Sequence, residues 1–119
     1  IERGIRLGDM IKREGIRVDA LPSRQLLMNI FYPKAPLHDG AVLISKGRIM
    51  AAACILPLAV ASGQNFGTRH RAGLGVTEES DAVAIVVSEE RGEISVAIKG
   101  KLIRSLDGNR LRQVLNENL

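Results

Sequence analysis

The sequence predicts an α/β fold: a single globular domain with a central mixed, mainly antiparallel β-sheet flanked by helices. Three observations carry this. Apolar residues recur at helical spacing in some stretches and as short β-branched runs in others. Glycine-bearing turn pairs separate consecutive strand-like runs, as hairpins require. No internal repeat or linker divides the 119 residues, a length that buries roughly two-thirds of its unfolded surface in one core.

The elements follow in order. Leu7, Met10 and Ile11 stand at i, i+3 and i+4 and predict a short amphipathic helix ended by Gly15. Residues 16–20 read as a connector with room for a brief extended stretch. Pro22 suits the first turn of a second helix, with Leu26, Leu27, Ile30 and Phe31 as its apolar stripe. Pro33 and Pro36 stop that helix. Residues 33–40 then form a rigid loop feeding a strand at 41–45, and Lys46-Gly47 marks a hairpin turn. A long apolar strand is expected over 48–58, with small residues at 51–53 that allow a helix or a ligand to approach closely.

Residues 59–67 are rich in turn formers. Thr68 can cap a helix running to about Glu79, weakened by Gly73 and Gly75. Residues 83–88 read as a strand buried on both faces. Arg91-Gly92 turns into a strand at 94–98, and residues 99–101 turn again before 102–104. Asp107 or Asn109 caps a final helix whose apolar face is Leu111, Val114 and Leu115.

Composition narrows the function classes. Hydrophobic residues at 45% and charged residues at 25% exclude disorder and a disulfide scaffold. The single cysteine, Cys54, reads as a small buried hydrophobe and favours a reducing compartment. No apolar run reaches the ~18–20 residues of a membrane span. The first residue is Ile1 rather than Met, as expected of a processed product or an excised domain. The net charge of +4 is scattered, and the only aromatics are Phe31, Tyr32 and Phe66. A base-stacking nucleic-acid platform is therefore not expected.

Two stretches carry chemistry beyond packing. In His38-Asp39-Gly40-Ala41, a carboxylate projects where a proline-braced loop enters a strand, and Gly40 admits close neighbours. Asp39 there can hold a divalent cation, accept a proton from a hydroxyl, or simply cap a turn. Two histidines and one cysteine are too few for a His-Asp phosphohydrolase or zinc site. The second stretch, Gly67-Thr68-Arg69-His70-Arg71, opens a helix. Its N–H groups and dipole attract phosphate, and the guanidiniums add bidentate donors. Arg69 and Arg71 oppose that dipole unless an anion visits; the plainer reading is a solvated arginine pair. Ser88-Glu89 forms an acidic strand end that can join a metal site. No Walker loop or G-x-G-x-x-G is present, so the residues alone point to phosphoryl or nucleotidyl chemistry on an unnamed nucleotide.

Leu37-His-Asp-Gly-Ala-Val42 and Gly67-Thr-Arg-His-Arg-Ala72, with Ile55-Leu-Pro-Leu58 between and Val87-Ser-Glu89 after, resemble the DGA and RHR motifs of bacterial diadenylate cyclase domains. The likeness covers residues 1–119, read as an N-terminally truncated catalytic domain of the membrane-associated form. It implies condensation of two ATP into cyclic di-AMP with release of two pyrophosphates, at the interface of a face-to-face homodimer. It implies a divalent metal (Mn2+, Mg2+ or Co2+) held by Asp39 with His38 and Glu89. Asp39 would help deprotonate the 3′-hydroxyl, and Thr68, Arg69, His70 and Arg71 would grip phosphates. Gly40 would leave space beside the nucleotide, Ala41 and Gly67 would complete the nucleotide-binding stretches, Leu56 would offer backbone contacts to adenine, and Ser88 would line the phosphate region.

The sequence departs from the family at Ile55, where relatives often carry Tyr, and at Gly73, where Ala is more usual and a looser helix follows. The chain begins inside the family domain, without a first helix or most of a leading strand. The full protein is accordingly expected at the cell membrane, with this domain on the cytoplasmic side. The competing reading is a catalytically silent module that senses ATP or cyclic di-AMP.

Overall fold

A computed structural model of the chain describes residues 1–11, 15–60 and 67–119. The expected α/β domain is found, its strands arranged as two three-stranded antiparallel sheets. In the first, β1 (Ile16–Ala20) and β2 (Ala41–Ser45) flank β3 (Arg48–Cys54). In the second, β5 (Ile94–Ile98) lies between β4 (Val83–Val87) and β6 (Lys101–Leu106). The helices are α1 (Arg24–Ile30), α2 (Thr68–Glu78) and α3 (Gly108–Asn118).

Turn chemistry set most boundaries. Lys46 and Gly47 both take positive φ (52° and 73°), the twisted two-residue turn that matches paired strands. Lys99-Gly100 repeats the device between β5 and β6. The Asp107 carboxylate accepts the Arg110 N–H at 2.7 Å and caps α3.

Several expectations change. Residues 7–11 make one turn, with the Met10 and Ile11 N–H groups donating to the Leu7 carbonyl, rather than a helix; residues 12–14 lie outside the described residues. The connector at 16–20 is a full strand, because Ile16 and Arg17 find partners in Ala52 and Ala51. Helix α1 is capped by the Ser23 hydroxyl, which accepts the Leu26 N–H at 3.0 Å, so Pro22 precedes the cap and exposed Phe31 follows the helix. Strand β3 stops at Cys54, three residues before Pro57. Gly67, not Thr68, occupies the cap of α2, and the loop before it falls on residues 61–66, outside the described residues. In β4, Ile85 and Val87 are exposed, so that strand is not buried on both faces.

Packing explains the layers. Ile30 of α1 joins Ile49 and Ala52 beneath the first sheet. Val114 of α3 joins Val83, Val96 and Leu106 on one face of the second. Helix α2 covers the opposite face, where Leu74 meets Ala97 and Ala59. A fourth cluster of Leu7, Val76 and Ala82, with Leu43 and Leu56 against it, ties α2 to the first sheet. Residues 1 and 2 bridge the facing edges: Ile1 exchanges two backbone hydrogen bonds with Val83, and the Glu2 N–H donates to the Ile44 carbonyl.

The glycines of α2 seat it rather than loosen it. A methyl at Gly73 would lie 2.8 Å from the Val86 Cγ2, and one at Gly75 would overlap the Pro57 carbonyl oxygen. Replacing Gly75 by Ala should therefore lower the thermal midpoint, since overpacking costs about 1–3 kcal/mol against a propensity gain of about 1 kcal/mol. Gly73→Ala should cost less, because a side-chain methyl can give where a backbone carbonyl cannot. Thermal unfolding of both variants checks the order, and a raised midpoint for Gly75→Ala would refute the seating argument.

Candidate functional site

The site grows from the place where β3 bends. Ala41 pairs with Cys54 and Leu43 with Ala51, so Ala52 and Ala53 together oppose Val42. Ala53 takes φ 57°, rare for a residue with a side chain, and marks a β-bulge. Gly40, at φ 117°, lies on this bulge; a methyl there would meet Ala53 and Cys54 backbone atoms at 2.8–2.9 Å. The close approach that Gly40 permits is made first by the protein's own β3. Asp39, directly before it, is exposed at the entrance to β2. His38 is turned back, its Nδ1 2.7 Å from the Ala35 carbonyl.

From Cys54 the chain runs past Ile55, which is 36% exposed, to Leu56. The Leu56 side chain packs with Leu7, Val76 and Ala82, leaving its backbone as the part able to meet a ligand. Ala59 then meets α2: its N–H donates to the Arg71 carbonyl at 2.9 Å, and the Arg71 Nε donates to its carbonyl at 3.1 Å.

At the start of α2, Gly67 gives no side-chain cap and the first turn holds no acidic residue. Early N–H groups that the cap residue leaves uncapped are of the kind that attracts an anion. Arg69 donates to the Val87 carbonyl at 2.9 Å and stands 3.4 Å from the Glu89 carboxylate. Both charges are exposed, so this pair orients more than it stabilises. Thr68 is exposed, while His70 is buried at 7% exposure against the sheet.

The structure thus joins Arg69 to Glu89, Arg71 to Ala59, and Gly40–Ala41 to Cys54. No described hydrogen bond or ion pair joins Asp39 or His38 to the Arg69–Arg71 turn or to Glu89. The Ser88 hydroxyl accepts the N–H groups of Arg91 (3.3 Å) and Glu93 (3.1 Å), closing the β4–β5 turn. Among the described residues no group of three His, Cys, Asp or Glu side chains could by itself hold a metal ion. A divalent cation bound through one or two carboxylates here would have to complete its shell with phosphates and water. Sequence reasoning missed the Val87 and Ala59 carbonyls that anchor the arginines, since backbone acceptors leave no trace in residue type.

Against this geometry the comparisons are specific. Residues 1–102 match the DAC family model, described as DisA bacterial checkpoint controller nucleotide-binding. The chain belongs to the DAC family. Among DAC relatives, the cyclic di-AMP synthase CdaA of Bacillus subtilis is 47% identical over 117 residues, 97% of this chain and 42% of that protein. The chain therefore spans less than half the length of that curated relative. The crystal structure of a double mutant of DacA from Staphylococcus aureus superposes with a TM-score of 0.91 at 43% identity, covering 98% of this chain and 79% of that one. A hypothetical membrane spanning protein from Bacillus cereus gives a TM-score of 0.84 at 44% identity, covering 89% and 52%. No helix among the described residues is long and apolar enough to cross a membrane.

Burial pushes the His70 imidazole below its ordinary value of 6.5; Arg104 adds to the effect and Glu93 opposes it. The folded state resists a proton that the unfolded chain accepts, so the associated stability is complete above 6.5 and is lost as pH falls from there through the lowered value. Glu2 and Asp81, held low chiefly by the backbone N–H groups they accept, act only at more acid pH. The buried Ile1 amino group is lowered likewise, from 8.0, so thermal midpoints should fall first from there and further from 6.5 downward, and His70→Gln should remove the second part of the decline. An undiminished decline in that variant would place its origin elsewhere.

Proposed function

We propose that this chain is the catalytic domain of a diadenylate cyclase, which condenses two ATP into cyclic di-AMP and releases two pyrophosphates. The α2 N-terminus carries the reading. It offers N–H groups that Gly67 does not cap and two guanidiniums anchored to Val87 and Ala59, in a chain of the DAC family. Anchored donors favour a charge that develops in the transition state, because they need no reorganisation when it appears.

The chemistry follows from the groups present. Each 3′-hydroxyl attacks the α-phosphorus of the other ATP; the new P–O bond forms as the bond to pyrophosphate breaks. Asp39, exposed at the strand entrance, takes up the hydroxyl proton. Thr68, Arg69 and Arg71 hold the phosphates, and buried His70 supports the turn from beneath. Gly67, Gly40 and Ala41 keep the backbone open beside the nucleotide, while Leu56 presents its peptide group to adenine. A divalent cation, Mn2+, Mg2+ or Co2+, bound by Asp39 with His38 and Glu89 as further donors, would neutralise phosphate charge.

One domain holds one ATP, so turnover requires a homodimer that orients two nucleotides face to face. The +4 charge is then matched by triphosphate rather than by nucleic acid. The membrane-spanning description of the Bacillus cereus neighbour supports a full protein at the cell membrane; this domain would lie on the cytoplasmic side, where ATP is available.

Incubation with ATP and Mn2+ or Mg2+, followed by nucleotide separation, should yield cyclic di-AMP. Asp39→Asn should abolish the product. Arg71→Ala should lower turnover by roughly 10²–10³-fold, with a thermal cost limited to about one hydrogen bond, ~1 kcal/mol. ATP binding without any turnover would favour the silent sensor instead.

A further inference from the structure

The bend on which Gly40 rests is gripped from its other side as well. Ile16 pairs with Ala52, so Gly15, one residue earlier, falls opposite Ala53 in the same register. Gly15 takes φ 76°. A methyl there would overlap the Ala52 carbonyl oxygen and lie 2.9 Å from the Ala53 carbonyl carbon. Facing Cβ atoms in paired strands ordinarily stand ~4.5–5.5 Å apart, so the chain enters β1 pressed unusually close to β3. From the β2 side, a methyl at Gly40 would meet the same Ala53 carbonyl carbon at 2.8 Å.

Three residues in a row across the first sheet, Gly15, Ala53 and Gly40, therefore have positive φ (76°, 57° and 117°). Ala53 is the one with a side chain, and such a residue leaves this conformation when its surroundings allow. A bulge held on one side alone could relax away from Gly40, and Asp39 would turn with the entrance to β2. Backbone on both sides removes that freedom. Gly47 offers the contrast within the same sheet: its φ is 73°, yet a methyl there would have nothing within 4 Å.

We propose that Gly15 is a positioning residue for Asp39: by bringing the start of β1 against the Ala52–Ala53 peptide, it holds the β3 bulge on Gly40 and so fixes where the Asp39 carboxylate points. The inference rests on the cyclase reading for its effect on turnover, but not for its effect on the Asp39–Gly40 backbone. A glycine needed only for its own φ would behave as Gly47 does and leave Asp39 where it is.

Gly15→Ala and Gly47→Ala form a matched pair, because both put a side chain at nearly the same φ and only the first meets β3. Both should lower the thermal midpoint. Only Gly15→Ala should shift the amide NMR signals of Asp39 and Gly40 in the nucleotide-free chain. It alone should also reduce kcat, by on the order of 10–10²-fold, with little change in KM for ATP, whose phosphates the α2 turn holds. Should Gly15→Ala fail to fold, adding Ala53→Gly lets the bulge yield, so the double variant should fold with the same displaced signals and the same fall in kcat. Asp39 and Gly40 signals that stay in place, or that Gly47→Ala moves equally, would overturn the proposal, as would displaced signals with full kcat or a double variant that stays unfolded. A parent chain that makes no cyclic di-AMP counts against the cyclase reading alone, and the amide signals then still decide whether Gly15 fixes Asp39.

Discussion

The seating of α2 is the constraint on which the rest of the structure depends. This helix packs on the second sheet through Gly73 and Leu74 and on the first through Val76, so it fixes the relation between the two. Its approach is set by the Gly75 backbone against the Pro57 carbonyl. Two glycines inside a helix cost about 1 kcal/mol each in propensity. That cost is offset by placing the first turn where Ala59 and Val87 can hold Arg71 and Arg69 through their carbonyls. Moving the helix outward by one methyl would loosen both anchors together.

Rigid backbone thus does what a longer list of side-chain contacts would otherwise do. The arginines donate to main-chain oxygens, one at the end of β4 and one in the segment after β3, which mutation cannot remove. Asp39 is placed in the same manner, between a proline-braced loop and a strand that bends at Ala53. Neither stretch needs the other for its own geometry; the first sheet positions one and the second sheet the other, with α2 between them.

Local chemistry was legible in the sequence, and relations between elements were not. The turns at Lys46-Gly47 and Lys99-Gly100, the Asp107 cap and the apolar stripe of α3 all follow from residue types a few positions apart. Strand β1 alternates apolar with charged residues over only five positions, too short a run to separate a strand from a connector until pairing with β3 makes it one. The opening turn was read as a helix because three apolar residues at helical spacing also suit one turn resting on Val76 and Ala82. Gly73 and Gly75 looked like defects, since propensity counts only the helix itself. The site motifs stood out as residues ill-suited to their local structure, yet nothing local announced that His70 would face inward while its neighbours are anchored at the surface.

The bend in β3 has a consequence for how this fold can vary in length. Strand β3 uses seven residues where its partner β2 uses five. The two additional residues enter at separate places, one at the Leu43–Ile44 step and one opposite Val42, so Ile49 and Ala52 stand three apart and still share the inner face. Loss of the one opposite Val42 would straighten β3 and remove the surface on which Gly40 rests. A change of length in this strand thereby acts on one bulge and leaves the other in place. The number of residues, and not only their kind, is what aims Asp39.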